Sequence, residues 1–287
     1  ASEFNVGTSS PNWAIENLCL RTMGNVRLVP SVSGAGSAAF RVDATVLGTG
    51  GYGTRAAYYG AINASGANCD FGWYIKHVQQ SKFERIKSRG AKVAGIHIDG
   101  CVSSLFEQPM VSAQQEGFIS GATPPIGMHI TGVPGVQTSW SKFICPIMEY
   151  TPIGTQIDFG LGCSIDGGTN EGCTNTGLAM GPNARWNKIS NIDMEVNTNY
   201  NIYCEGEGNE FYGVDCSDGA ILFANATCRN NRWFGGGTST FEFNATASFN
   251  SVFGLAVAVN GVGGFTDGGI GNRHTDVFNR STGTWVA

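Results

Sequence analysis

The stretch NKISNIDMEV, residues 187–196, returns in altered form as NEFYGVDCSD from 209, NRWFGGG from 231 and NSVFGLAVAV from 250. Each copy opens on Asn and places an apolar residue two positions later. The leading residues Asn187, Asn209, Asn231 and Asn250 are spaced 22, 22 and 19 apart. The same frame with Ser in the lead occurs upstream, as SKFERIKS from Ser81, SLFEQPMVS from Ser104 and SKFICPIME from Ser141. A fixed period of this length marks a solenoid, because one such unit cannot bury its own apolar face and must stack on a neighbour.

A second strand precedes each leading Asn or Ser. These strands read GWYIKH at 72, GIHIDG at 95, GMHITG at 127, TGLAMG at 176, NIYCEG at 201, AILFAN at 220 and TFEFNA at 240. Apolar residues alternate along them, which is the period of a half-buried strand. One inward column is Trp73, Ile96, Met128, Leu178, Ile202, Ile221 and Phe241. The next is Ile75, Ile98, Ile130, Met180, Cys204, Phe223 and Phe243. The fold class expected is all-β: a right-handed parallel β-helix of about 22 residues per coil, with coils about 4.8 Å apart. A leucine-rich repeat lacks its Leu consensus here, and a β-sandwich does not explain the register. The leading Asn and Ser form a ladder at one turn, read as structural.

Residues 1–260 are assigned to the β-helix, with insertions near 25–70, 114–126 and 154–175. Residues 261–287 are Gly-rich, then read as strand, turn and strand, and are assigned to a C-terminal capping hairpin or oligomerisation segment.

Composition agrees with a strand-and-turn protein. Of 287 residues, 14% are charged and 42 are Gly, against roughly 25% charged in an average soluble domain. Net charge is −5 and the basic residues are scattered, which argues against nucleic acid as a partner. No apolar run approaches the length of a membrane span, so no membrane insertion is expected. Nine Cys is an odd number. Cys163 and Cys173 flank a short loop and can pair, but most thiols read as small core residues.

The units IENLCL, NKISNIDMEV and NEFYGVDCSD, with the apolar–x–apolar–x–Gly strands between them, resemble the single-stranded right-handed β-helices of phage tailspikes and pectate-lyase-like proteins. The resemblance covers residues 12–22 and 72–260. It implies a homotrimer on a virion tail, or otherwise an extracellular protein, that binds and often cleaves bacterial surface polysaccharide. The alternatives are a non-catalytic receptor-binding adhesin or structural spike domain, and a secreted pectate-lyase-like enzyme. No calcium-and-arginine signature of pectate lyases is present, so no family catalytic residue is carried over.

Chemistry is therefore sought in the outward columns. Tyr74, His97 and His129 stack in one, beside Lys76 and Asp99 in the next. An aromatic ring can carry a sugar, an imidazole or phenol can move a proton, and an ammonium can neutralise an acidic sugar. Tyr203 and Glu205 continue these columns and are candidate substrate contacts. Asp193 and Asp215 occupy equivalent positions on neighbouring coils. Two stacked carboxylates repel, which splits their ionisation and suits a glycosidase pair. Asp193, Asp215, His97 and His129 are the catalytic candidates. The bland alternatives are repeat ancestry for the histidines, and a solvated acidic stripe or structural Ca²⁺ site for the acids; no cofactor is otherwise expected. Glu107, Glu149, Asp158 and Asp166 are weaker candidates near the loops. Trp140 and Trp186, each preceding a ladder position, are read as sugar platforms, as covers for the coil edge or as contacts between protomers.

Overall fold

The computed structural model describes residues 4–7, 18–21, 26–28, 33–43, 56–59, 62–64, 68–112, 123–258 and 263–286. Within them the protein is all-β, a parallel solenoid whose turns present three strand faces. Face 1 carries the long strands, such as Ala94–Asp99 and Ile126–Val133. Face 2 follows the Asn/Ser ladder, as in Leu105–Glu107, and forms an 11-stranded parallel sheet. Face 3 follows next, as in Met110–Ser112. Faces 1 and 3 merge where Asp215–Phe223 and Gly237–Phe243 run around the corner between them.

The register pairs like with like. Ile96 pairs with Trp73 and Met128, and Ile98 with Ile75 and Ile130. All fourteen inward positions of face 1 named above are 0% exposed. Face 2 supplies the opposing wall, where Phe83, Phe106 and Phe143 stack with 4.9 Å between successive ring centroids. Burying each such side chain contributes about 1.5–3 kcal/mol, and identical neighbours repeat the contact at every coil.

The ladder is as polar as it is buried. Asn187, Asn209, Asn231 and Asn250 are at most 1% exposed. Asn209 Oδ1 accepts from the Asn187 backbone N–H at 2.9 Å and from Asn187 Nδ2 at 3.0 Å. Asn209 Nδ2 donates to Ala184 O at 3.0 Å and to Asn231 Oδ1 at 3.1 Å. The pattern extends one coil further, since Asn250 N–H and Nδ2 donate to Asn272 Oδ1. Ser81, Ser104 and Ser141 fill the same column, with Ser81 N–H donating to Ser104 Oγ and Ser104 N–H to Ser141 Oγ.

Several expectations change. Residues 154–175, expected as a projecting loop, supply most of a complete coil with strands Ile153–Ile157, Gly160–Leu161, Ser164–Asp166 and Thr169–Glu171. Its inward positions include Thr155 and Asn170, both 0% exposed and joined by a 3.0 Å hydrogen bond. Cys163 stands in the ladder there, its N–H donating to Asn187 Oδ1. Cys163 and Cys173 are free, buried thiols, as are Cys101, Cys204, Cys216 and Cys228, and Cys145 is half-buried. Parallel stacking continues through Phe265–Asp267 and Arg273–Thr275. The antiparallel hairpin is confined to Phe278–Asn279 and Thr284–Trp285. The insertion near 25–70 contributes the ten-residue strand Gly34–Asp43 to face 1. The glycine-rich run at 48–54, the first unit at 12–17 and most of the insertion at 114–126 lie outside the described residues.

Candidate functional site

Because face 1 keeps register from Phe40 and Trp73 through Ile157, its outward side chains there line up along the solenoid axis. Arg41, Tyr74, His97, His129 and Gln156 occupy one column on successive coils. Asp43, Lys76, Asp99 and Thr131 occupy the next. The Arg41 guanidinium lies 4.3 Å above the Tyr74 ring. Tyr74 stacks on His97 with 5.2 Å between centroids and 7° between planes. His97 meets His129 edge-on at 4.9 Å. Tyr74 OH donates to Asp99 Oδ2 at 3.4 Å, and Lys76 Nζ lies 3.7 Å from the same oxygen.

Beside the column stands a His–Asp pair. His129 Nε2 lies 2.8 Å from Asp158 Oδ2, and Gln156 Nε2 donates to both Asp158 oxygens. With Asp158 accepting, the Nε2–H tautomer of His129 is favoured, and Nδ1 keeps its lone pair. His97 Nδ1 and His129 Nδ1 are both buried without a hydrogen-bond partner. Burial pushes the His97 imidazole down to about 3, aided by His129 and Lys76. It is neutral at physiological pH. Burial, then the Asp99 and Asp43 carboxylates, push the Tyr74 phenol well above its ordinary value despite Arg41. Burial alone would raise Asp158, but the hydrogen bonds from His129 and Gln156 outweigh it and hold the carboxyl below its usual range.

Tyr203 stands in the same outward column, with Gln156 and Ala179 between it and His129. Its hydroxyl donates to Glu205 at 3.1 Å, and Asn225 Nδ2 donates to the same carboxylate at 2.7 Å. Burial, then that hydrogen bond, push the Tyr203 phenol up. The structure thus groups Tyr74, Lys76, His97, Asp99 and His129, and sets Tyr203 and Glu205 apart from them.

Asp193 and Asp215 are direct partners across adjacent coils at the face 3 edge, away from the histidine column. Both residues are exposed. Glu195 flanks Asp193 on its own strand and stacks in register with Glu171, which stacks on Glu149. Crowding that removes water from its carboxyl, then the charges of Asp215 and Glu171, push Asp193 above the ordinary Asp value. The charge of Asp193, then desolvation and Glu171, do the same to Glu195. Among the described residues no group of three or more His, Cys, Asp or Glu side chains converges tightly enough to hold a metal ion.

Trp140 and Trp186 are 65% and 61% exposed, on backbone with φ of 52° and 56°. Each ring lies over a glycine of the next coil. A Cβ on Gly208 would come within 2.3 Å of Trp186 Cδ1. Of the site residues, sequence reasoning missed Arg41 and Gln156 and gave Asp158 too little weight. Arg41 sits in a glycine-rich stretch, and the other two belong to the coil hidden by its polar interior. Comparison of the chain with protein-family models, with curated proteins and with solved structures finds no match.

Proposed function

We propose that this chain recognises a bacterial surface polysaccharide, as a phage tailspike does, and hydrolyses it at Asp193 and Asp215. One observation carries the reading: two exposed carboxylates are paired in register on adjacent coils, and the crowding raises one of them. Coil spacing of about 4.8 Å is close to the roughly 5–5.5 Å between the acid and nucleophile of retaining glycosidases. In this reading Asp193 is the proton donor to the leaving oxygen and Asp215 the nucleophile. The resemblance of the sequence to tailspike β-helices supplies the substrate class, the virion tail and a homotrimer.

A second reading rests on the His129–Asp158 pair. Asp158 orients His129, and Lys76 and Arg41 lie in the same patch. That set suits β-elimination of an acidic sugar, with a cation neutralising the carboxylate and imidazole moving the proton. It requires the His97 and His129 rings to part, because both Nδ1 atoms are buried.

The test is incubation with capsular and O-antigen polysaccharides, following reducing ends and the ultraviolet absorbance of unsaturated uronates. New reducing ends without absorbance, lost by about 10²–10⁴-fold in Asp193→Asn, support hydrolysis. Absorbance lost in His129→Gln but kept in Asp193→Asn overturns hydrolysis in favour of elimination. A glycan that binds without being cut leaves a receptor-binding spike.

A further inference from the structure

We propose a second sugar site, for a carboxylate-bearing sugar, in the cleft formed by Arg232, Ser251 and Arg273 with Asn230, Phe249 and Gly271. The cleft is about 240 Å³ and lies on face 2, separate from both the histidine column and the acidic pair. It rests on the reading that the ligand is a glycan and is independent of how, or whether, that glycan is cut.

The repeat builds this cleft. Arg232, Ser251 and Arg273 are one outward column on three successive coils. Asn230, Phe249 and Gly271 are the corner positions on those coils, each immediately before a ladder Asn. The short side chain of Ser251 between two arginines leaves a depression. Gly271 leaves room for the Phe249 ring to pass close over the next coil; a Cβ there would come within 2.9 Å of Phe249 Cε1. The side chain nevertheless stays 62% exposed.

Each lining group matches part of an acidic sugar. A flat aromatic ring stacks on the apolar face of a pyranose, as it does on other apolar rings. The Ser251 hydroxyl and the Asn230 amide both donate and accept, which suits sugar hydroxyls. Arg232 is partly neutralised by Glu210 at 3.3 Å. Arg273 has no carboxylate within ion-pair reach among the described residues and is exposed. A guanidinium so placed takes a carboxylate through two parallel hydrogen bonds. In a chain of net charge −5, two arginines flanking an exposed ring form a local anion site.

The experiment titrates the whole chain with galacturonate, N-acetylneuraminate, glucose 6-phosphate and neutral galactose, read by saturation-transfer NMR and calorimetry at low salt. Arg273→Gln and Phe249→Asn are the variants. Phe249 has φ of 56°, a left-handed conformation that Asn tolerates well, so neither exposed change threatens the fold. The expected result is uronate or sialate binding that weakens at least about tenfold in each variant, persists in Asp193→Asn, and exceeds that of galactose. Carboxylated sugars that bind both variants as they bind the parent, or that do not bind at all, overturn the site. So does binding of the phosphate sugar alone, or a variant that splits an oligomer in sedimentation while the parent binds no sugar. Loss of cleavage on every glycan, with uronate binding still dependent on Arg273, leaves the cleft standing and removes only the hydrolase reading.

Discussion

His97 shows what the column costs. Its ring is held between Tyr74, Phe71 and His129, and burial pushes it down to about 3 from an ordinary 6.5. Between those values the unfolded chain binds a proton that the folded chain refuses, so stability falls as pH drops from 6.5 towards 3. Asp158 acts in the same direction: its lowered folded value gives stability that is complete above 3.8 and lost in stronger acid. The urea midpoint should therefore decline between pH 7 and pH 4, by an equivalent on the order of 3 kcal/mol. His97→Phe, which keeps the stack and removes the titration, should flatten that decline. An unchanged slope in the variant would refute the assignment. Asp193 has the opposite sign, because its raised value means the folded state gains protons first. Asp193→Asn should raise the midpoint near pH 7 and lose that advantage below pH 4. That readout is separate from any effect on cleavage.

At the scale of the element, the ladder is the most demanding part of each turn. Asn209→Ala removes the acceptor of the Asn187 N–H and one acceptor of Asn187 Nδ2, in a position that is 0% exposed. It also deprives Ala184 O of its side-chain donor. Each buried orphan costs about 1–3 kcal/mol, so the variant should unfold roughly 3 kcal/mol more easily, as urea denaturation would show. A surface Asn such as Asn183 should give no comparable loss. The ladder was legible in the sequence because Asn and Ser recur at fixed spacing, and the inward strand positions were legible because they alternate. The coil from Ile153 to Cys173 was not. Its core positions hold Thr155 and Asn170, which satisfy one another inside the stack, and Cys163 replaces Asn in the ladder. A pattern of apolar residues cannot reveal polar groups that are buried as pairs. The same gap hid Gln156 and left Asp158 a minor candidate near a loop, whereas Tyr74, His97 and His129 were aligned from residue spacing alone.

At the scale of the molecule, a solenoid has two open ends, and its strand edges invite further pairing. Here Phe278–Asn279 turns back on Thr284–Trp285, and the rings of Phe278 and Trp285 meet at 5.1 Å. Removing residues 278–287 would uncover Ala256–Val257, which pairs with Phe278–Asn279. The truncated chain should scatter light and sediment as higher-order aggregates, while its far-ultraviolet spectrum remains that of β-structure. A truncated chain that stays monodisperse would show that the hairpin is dispensable as a cap.

The ladder also has a direction. The backbone N–H of each ladder Asn from Asn187 to Asn250 is met by the amide of the coil that follows it in sequence, and that following amide also reaches back to an earlier turn carbonyl. A coil is therefore never finished by its own residues. A chain broken within the ladder would therefore end on a turn whose buried Asn N–H meets no side chain, because that acceptor belongs to the next copy of the repeat.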